Sequence, residues 1–379
     1  MTSDRKLFII AFMNWILTKY TVKSFIAIFL ATLLVLTVVV GLFDLIELLR
    51  QASKGETAGF FDALTMSILK APQMMHIILP FVVLLSGLVF CLVFNRSSEL
   101  IVMRAVGQSV WNIIMPLIVA VMMIGLLDTT LFSPLTAWTA RRYERMEERL
   151  GFTRSTPLVW SEDGFWLREQ KPDGGVQVVR ASQIIQEKKQ VYLKNVSVFE
   201  LDSQGLFVRE TEGEKGALKG GVLSIENSFI IDPVSETSVA QPREEFDTDL
   251  SLERILEKFD DPQTMSFWRF PRFIKFLKES GFSTAQHTMY FHELIALPVF
   301  LLSMLLIAIA VTVSSGNRQG RTFMKGLLAV GGGFLLYFVS RITNVLGLSG
   351  NLPYFLAAWG PSLICIPLCL SVLLHLEDG

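Results

Sequence analysis

The stretch NRSSELIVMRAVGQSVW, residues 95–111, places Arg96, Glu99 and Arg104 in one short polar break between two long apolar runs. Upstream, His76 is the only residue of 71–94 that can carry a charge near neutral pH, and downstream residues 105–127 carry none. A bilayer core is crossed by about 20 apolar residues of helix, so the break reads as the connection between two membrane spans. Working outward, residues 24–43 and 294–317 are also free of charge, and apolar stretches follow at roughly 326–346 and 354–374, the first of them interrupted by Arg341. Six transmembrane helices are predicted. Composition agrees. Of 379 residues, 51% are apolar and 18% charged, where a soluble chain has about a quarter charged, and the mean hydropathy is +0.47.

Loop charges give the orientation. Segments 1–23, 95–109 and 314–325 carry Arg5, Lys6, Lys19, Lys23, Arg96, Arg104, Arg318, Arg321 and Lys325, whereas the opposite short segments carry Arg50, Lys54, Lys70 and Arg341. Positive residues stay in the cytoplasm, so both termini are expected inside. The N-terminal apolar stretch is too long for the core of a cleaved signal peptide. Residues 5–23 read instead as an interfacial helix leading into the first span.

Between the third and fourth spans the period changes. VQVVR, VYLKNVSVFE, LFVRE and VLSIENSFII are short, β-branched and partly alternating, and EDG, KPDGG, LDSQG and ETEGEKG separate them with turn residues. An all-β sandwich or jelly roll is expected over about 155–245. ARRYERMEERLGF before it extends the third span as a charged helix, and LSLERILEKF and FWRFPRFIKFLKESG after it return to helical spacing. The second of these mixes Arg269, Arg272, Lys275 and Lys278 with aromatics, which suits a membrane surface; a solvated helix face is the plainer alternative. The expected division is 1–132 (first three spans, with a cytoplasmic helix at 96–109), 133–290 (the β insert and its flanks) and 291–379 (last three spans).

The residues offer little for catalysis. No phosphate-binding glycine loop occurs, since VGGGF at 330–334 lies inside an apolar span. Cys91, Cys365 and Cys369 fall within spans and have no metal spacing, and His76, His287, His292 and His375 show no ligand pattern. No cofactor is expected, and a net charge of −1 gives no reason to expect a nucleic-acid partner. At the outer end of the first span, Glu47 and Arg50 are spaced to pair at i, i+3. Alternatively Arg50 and Lys54 meet an anionic headgroup. Asp128 reads as a boundary residue of the third span.

Within the opening stretch, Ser97 or Ser98 can cap a helix, Glu99 complements its dipole, and Leu100, Met103 and Val106 make an apolar stripe. A short amphipathic helix with an exposed acid is either a docking surface for a soluble partner or a helix lying on headgroups. SELIVMRAVGQS resembles a segment of the LptF/LptG permease family, ILPFVVLLSGLVFCLVFNRSSEL resembles the run before it, and FLAAWGPSLI resembles the family's C-terminal pattern. VWSEDGFWLRE and FLKESGFSTAQHTMYFHELIALPVFLLSMLLIA look most like the LptG branch.

The resemblance implies a permease subunit of an ABC transporter that extracts lipopolysaccharide from the inner membrane. The expected partners are an LptF-like permease, a dimer of an LptB-like ATPase, LptC-like and LptA-like jelly-roll proteins, and membrane lipid. It further implies a periplasmic jelly roll, and a coupling helix carrying Glu99, Met103 and Arg104 in the ATPase groove. Spans one and five would line the lipid cavity, and Arg50 and Lys54 become headgroup candidates. The alternatives are the LptF-type subunit, or a membrane-anchored scaffold without transport. A chain with no nucleotide motif is not itself the ATPase.

Overall fold

An apolar run inside a bilayer satisfies its backbone only by folding as helix. In the computed structural model each such run does so over its described residues. The structure describes residues 2–52, 59–96, 111–150, 158–161, 164–171, 175–187, 190–202, 204, 206–219, 221–232, 237–248, 262–279, 283–313 and 322–377. Among the described residues, six helices are long and apolar enough to cross a membrane. Helix α1 is Thr2–Ala52, so the charged N-terminal stretch and the first span form one continuous helix. Helix α2 is Phe60–Arg96. The third span is built from α3 (Trp111–Leu127), a π-turn (Asp128–Phe132) and α4 (Ser133–Arg149). After the β insert, α5 is Phe270–Glu279, and the last three spans are α6 (Ala285–Val313), α7 (Thr322–Leu348) and α8 (Tyr354–Glu377).

The chain divides into two compact units, one of Met1–Leu150, Gln263–Phe270 and Ala285–Gly379, the other of Gly151–Pro262 and Pro271–Thr284. Helix α6 is the centre of the first. Leu301, Met304 and Leu305 are fully buried there, packed with Phe25 of α1, Leu84 and Phe90 of α2, and Leu117 of α3. Gly125 at the end of α3 makes the approach possible, since a Cβ at this position would lie 2.6 Å from Pro298 Cα of α6. Small residues at such crossings let membrane helices gain dispersion energy, which replaces the hydrophobic drive that lipid removes.

Among the described residues of the second unit, seven strands run in chain order as one antiparallel sheet: β1 (Leu158–Ser161), β2 (Gly164–Gln170), β3 (Val176–Glu187), β4 (Gln190–Leu201), β5 (Phe207–Lys219), β6 (Val222–Asp232) and β7 (Thr237–Asp247). Each strand pairs with the next as a hairpin. The inserted β domain is thus present, wound as a meander. Asn195 and Asn227 take left-handed conformations, φ 48 and 52. Across Asn195 the buried positions of β4 change parity, from Val191 and Leu193 to Val196 and Val198, as a local irregularity in the pleat requires.

The sheet coils back on itself. Thr248, just after β7, donates its hydroxyl to Glu169 Oε1 of β2 at 2.8 Å. Five strand spacings would hold these edges about 24 Å apart in a flat sheet. Leu167 of β2 and Phe246 of β7 accordingly share one apolar core.

Helix α5 completes that core. Leu277 is buried in it, and Phe273 and Phe276 pack against it. From sequence this amphipathic segment suits a membrane surface or a solvated face; in the structure its apolar side covers the sheet. A face of aromatics and aliphatics satisfies either demand, and the sheet offered an unfilled interior. Polar groups close the domain elsewhere. Glu200 of β4 accepts from Lys171 and from Arg209 of β5, Arg209 reaches Glu244 of β7 at 3.0 Å, and Thr211 donates to Glu244 at 3.1 Å. Burial pushes the Glu200 carboxyl up, but the hydrogen bonds and charges of Arg209 and Lys171 outweigh it and hold the group below its ordinary value.

Candidate functional site

The six spans differ in how much surface they leave open. In its most apolar stretch the fourth span is 78% buried, while the first is 11% and the fifth 17%. Helices α1 and α7 both pack on α2. Phe25 meets Phe90 with ring centroids 6.0 Å apart on one side, and Phe334 and Tyr337 meet Phe81 at 4.9 Å on the other. Their remaining faces are exposed and apolar: Leu34, Val38 and Phe43 on α1, and Leu335, Phe338 and Val345 on α7.

Charged groups gather at the end of the bundle from which the chain leaves for the β insert. On α1, Glu47 accepts two hydrogen bonds from Arg50, at 2.8 and 3.0 Å. This is the local pair that the spacing predicted. One turn earlier, Asp44 is buried and its Oδ1 accepts from Lys70 of α2 at 2.6 Å. The other carboxylate oxygen, Oδ2, is buried without a hydrogen-bond partner. Lys70 also lies 5.6 Å from the ring centroid of Tyr143 on α4. On α7, Arg341 stands exposed among apolar side chains, its Nε donating to Tyr337 OH at 3.0 Å. A cation on the lipid-facing surface of a span costs on the order of 3 kcal/mol near the bilayer centre. That cost favours a face turned toward water or an anionic group.

The π-turn gathers a second set of polar contacts. Such a turn carries an extra residue per winding and often marks function. Asp128 Oδ2 and His76 Nδ1 are 2.6 Å apart, joining the third span to α2. Thr129 donates to the backbone carbonyls of Gly125 and of Leu294 on α6, both at 3.0 Å. Trp268 Nε1 donates to Thr130 O at 3.2 Å, and Phe267 N to Ser133 Oγ at 2.8 Å. Between α6 and α7, Asn344 Nδ2 donates to Glu293 Oε1 at 2.7 Å. Among the described residues no three His, Cys, Asp or Glu side chains are grouped to hold a metal ion.

Of the residues singled out from sequence, Glu99, Met103, Arg104 and Lys54 lie outside the described residues, and Arg50 is engaged by Glu47. From sequence, Lys70 and Arg341 serve only as markers of topology. Asp128, which reads from sequence as a boundary residue, lies within hydrogen-bonding distance of His76.

The profile of the family described as lipopolysaccharide export system permease LptF/LptG matches residues 19–375. The chain belongs to the LptF/LptG family. It is similar to the curated lipopolysaccharide export system permease protein LptG of Escherichia coli, 22% identical over 364 residues that cover 92% of this chain and 94% of that protein. The LptG of Haemophilus influenzae is 23% identical over 367 residues, covering 92% and 96%. The chain is therefore a multi-pass membrane protein of a lipopolysaccharide export permease family, with a β domain inserted between its third and fourth spans.

Proposed function

We propose that this chain is the LptG-type permease subunit of an ATP-driven exporter that lifts lipopolysaccharide out of the inner membrane and delivers it to a periplasmic bridge. The observation that carries the reading is a family match along almost the whole chain, joined to a bundle whose first and fifth spans leave their apolar faces open. Those faces suit a second permease of LptF type, with the acyl chains held in the space between. Removing a multi-acyl lipid from a bilayer costs about 0.8 kcal/mol for each CH₂ brought into water, so the route must be apolar and the work supplied from outside the chain. An LptB-like ATPase dimer supplies it. The β insert stands in the periplasm beside LptC-like and LptA-like proteins.

The headgroup carries phosphates, and the cations at the insert end answer it: Arg50 and Lys54 from the sequence, with Lys70 and Arg341 added by their placement. At the opposite end, Glu99, Met103 and Arg104 form the helix that docks in the ATPase groove. Co-purification with a tagged LptB-like ATPase tests the reading. Glu99→Lys should abolish both association and lipid export while the protein stays folded in the membrane, and Glu99→Ala should do less, because only the lysine adds repulsion. An interface charge left unmatched costs about 2–5 kcal/mol. Wild-type association and export in Glu99→Lys would contradict the proposal.

A further inference from the structure

We propose that Asp44 is a positioning residue for Lys70: it holds the ammonium against α1 while the site is empty and yields it to a headgroup phosphate, and this exchange frees the insert end of α1 from α2. The proposal rests on the reading of Lys70 as a headgroup contact and goes beyond it by naming the group that the phosphate must replace.

The pair is a direct contact between two helices. Lys70 Nζ of α2 donates to Asp44 Oδ1 of α1 at 2.6 Å. One turn earlier on both helices, Ser67 Oγ donates to Gly41 O at 3.3 Å. Gly41 and Asp44 are three residues apart and lie on one side of α1, the side that meets α2. Leu42, Phe43 and Ile46 belong to the open apolar face of the same helix. The ion pair thus stands at the seam between the two helices, on the turn of α1 that also carries the open face.

The partners are unequal. The Asp44 side chain is 8% exposed and the Lys70 side chain 33%. Among the described residues no donor reaches Asp44 Oδ2, which is buried. A carboxylate enclosed with one oxygen unanswered loses hydration that a single ammonium replaces only in part. Lys70 is open to approach, and its other neighbour, the Tyr143 ring at 5.6 Å, offers a face rather than an anion. A lysine ammonium is a point charge with three donors on a flexible stem, so it turns from a carboxylate to a phosphate without moving α2.

Leaving Asp44 enclosed with no cation would cost far more than the pair does. The exchange therefore carries the carboxylate to water, and α1 has the means. A Cβ at Gly41 would meet nothing within 4 Å, so close packing does not call for glycine there. Its effect is to weaken the helix one turn before Asp44, where bending moves Asp44 and the residues after it away from α2. A phosphate, with more charge and more acceptor oxygens than the carboxylate, takes the ammonium; a headgroup without phosphate leaves the clamp shut.

Asp44→Asn keeps the shape of the side chain and removes its charge. Fluorescent bis-phosphorylated lipid A and its dephosphorylated form are titrated into the detergent-solubilised full-length chain. Asp44→Asn should bind the phosphorylated lipid about two- to fivefold more tightly, the equivalent of one partly exposed ion pair, and the dephosphorylated lipid as the parent does. The gain should vanish in Asp44→Asn/Lys70→Gln. Loosened packing alone would shift both lipids together. A second readout uses the parent protein: a water-soluble carbodiimide with a glycine ester, followed by peptide mass spectrometry, should leave Asp44 unmodified in the empty protein and modify it when the phosphorylated lipid is bound. Unchanged or weaker binding in Asp44→Asn, a gain that persists without Lys70, or an Asp44 that stays unmodified with the phosphorylated lipid bound overturns the inference while the headgroup reading stands. A Lys70→Gln variant that binds phosphorylated lipid A like the parent overturns both.

Discussion

Helices α6 and α7 are neighbours of similar length, 29 and 27 residues, and each is apolar enough to cross a membrane, yet they are used in opposite ways. In α6 nearly four fifths of the most apolar stretch is enclosed by other helices of the same chain; in α7 it is less than a fifth. Leu305 of α6 is fully buried, whereas Leu335 of α7 is 65% exposed. Hydrophobicity therefore places a helix in the membrane without saying what it faces. The difference divides a scaffold, whose apolar groups are spent on internal packing, from a working surface, whose apolar groups remain free for lipid or a second permease.

The sharpest way to break this comparison is to truncate both helices alike. Leu305→Ala should cost about 2–5 kcal/mol through lost contacts and the cavity left behind, whereas Leu335→Ala should stay within about 0.5 kcal/mol. Thermal unfolding of the detergent-solubilised protein, read by size-exclusion chromatography, checks both. Equal losses would erase the distinction between scaffold and surface.

Adding volume should show the same asymmetry with a smaller effect. Gly125→Ala puts a methyl 2.6 Å from Pro298 Cα, a backbone atom that cannot yield without moving α6. A loss of about 1–3 kcal/mol is expected. Gly331→Ala on α7 meets nothing within 4 Å and should be tolerated.

The β domain repeats the contrast between enclosed and open groups in its carboxylates, with the smallest effect. Burial raises Glu200, but its bonds to Arg209 and Lys171 prevail and leave it below its ordinary value. Its stabilisation is present above the ordinary carboxylate value of about 4.3 and is lost as pH falls through the lower folded value. Glu210, raised by burial and by the charge of Glu212, works in the opposite sense: acid relieves its cost. Amide exchange in β4 and β5, corrected for intrinsic rates, should therefore rise as pH drops from 6 toward 3. In Glu200→Gln the acid-dependent rise should be reduced, because that variant has already lost the charge. An unchanged acid response in Glu200→Gln would show that the network does not hold the sheet.

Much of this architecture is legible in the sequence because it depends on local pattern. Charge-free runs suffice for the spans, and β-branched runs between turn residues suffice for the hairpins. The Glu47–Arg50 pair is equally local, since helical geometry alone brings residues three apart together. The candidate site is different. Asp44 meets Lys70 across 26 residues, His76 meets Asp128 across 52, and Glu293 meets Asn344 across 51. Each pairing depends on the rotation of one helix against another, which the packing of Gly125, Leu305 and their neighbours decides and no local period records. The partner of the α5 apolar face is not legible in the sequence for a related reason. Phe273, Phe276 and Leu277 form an apolar side that fits a membrane surface or a sheet equally well, and only the coiled sheet supplies the answer.

The central claim is that the open faces of α1 and α7 border the space that holds lipopolysaccharide. Photo-crosslinking residues placed at Leu34 on α1, Phe338 on α7, Leu305 on α6 and Leu368 on α8 test it in membranes of cells that make the lipid. Leu34, Phe338 and Leu368 are comparably exposed, at 67%, 63% and 63%, and Leu305 is at 0%. The account expects lipopolysaccharide adducts at Leu34 and Phe338, chiefly phospholipid adducts at Leu368, and none at Leu305. Lipopolysaccharide captured equally at Leu368, or absent from both Leu34 and Phe338, would contradict it.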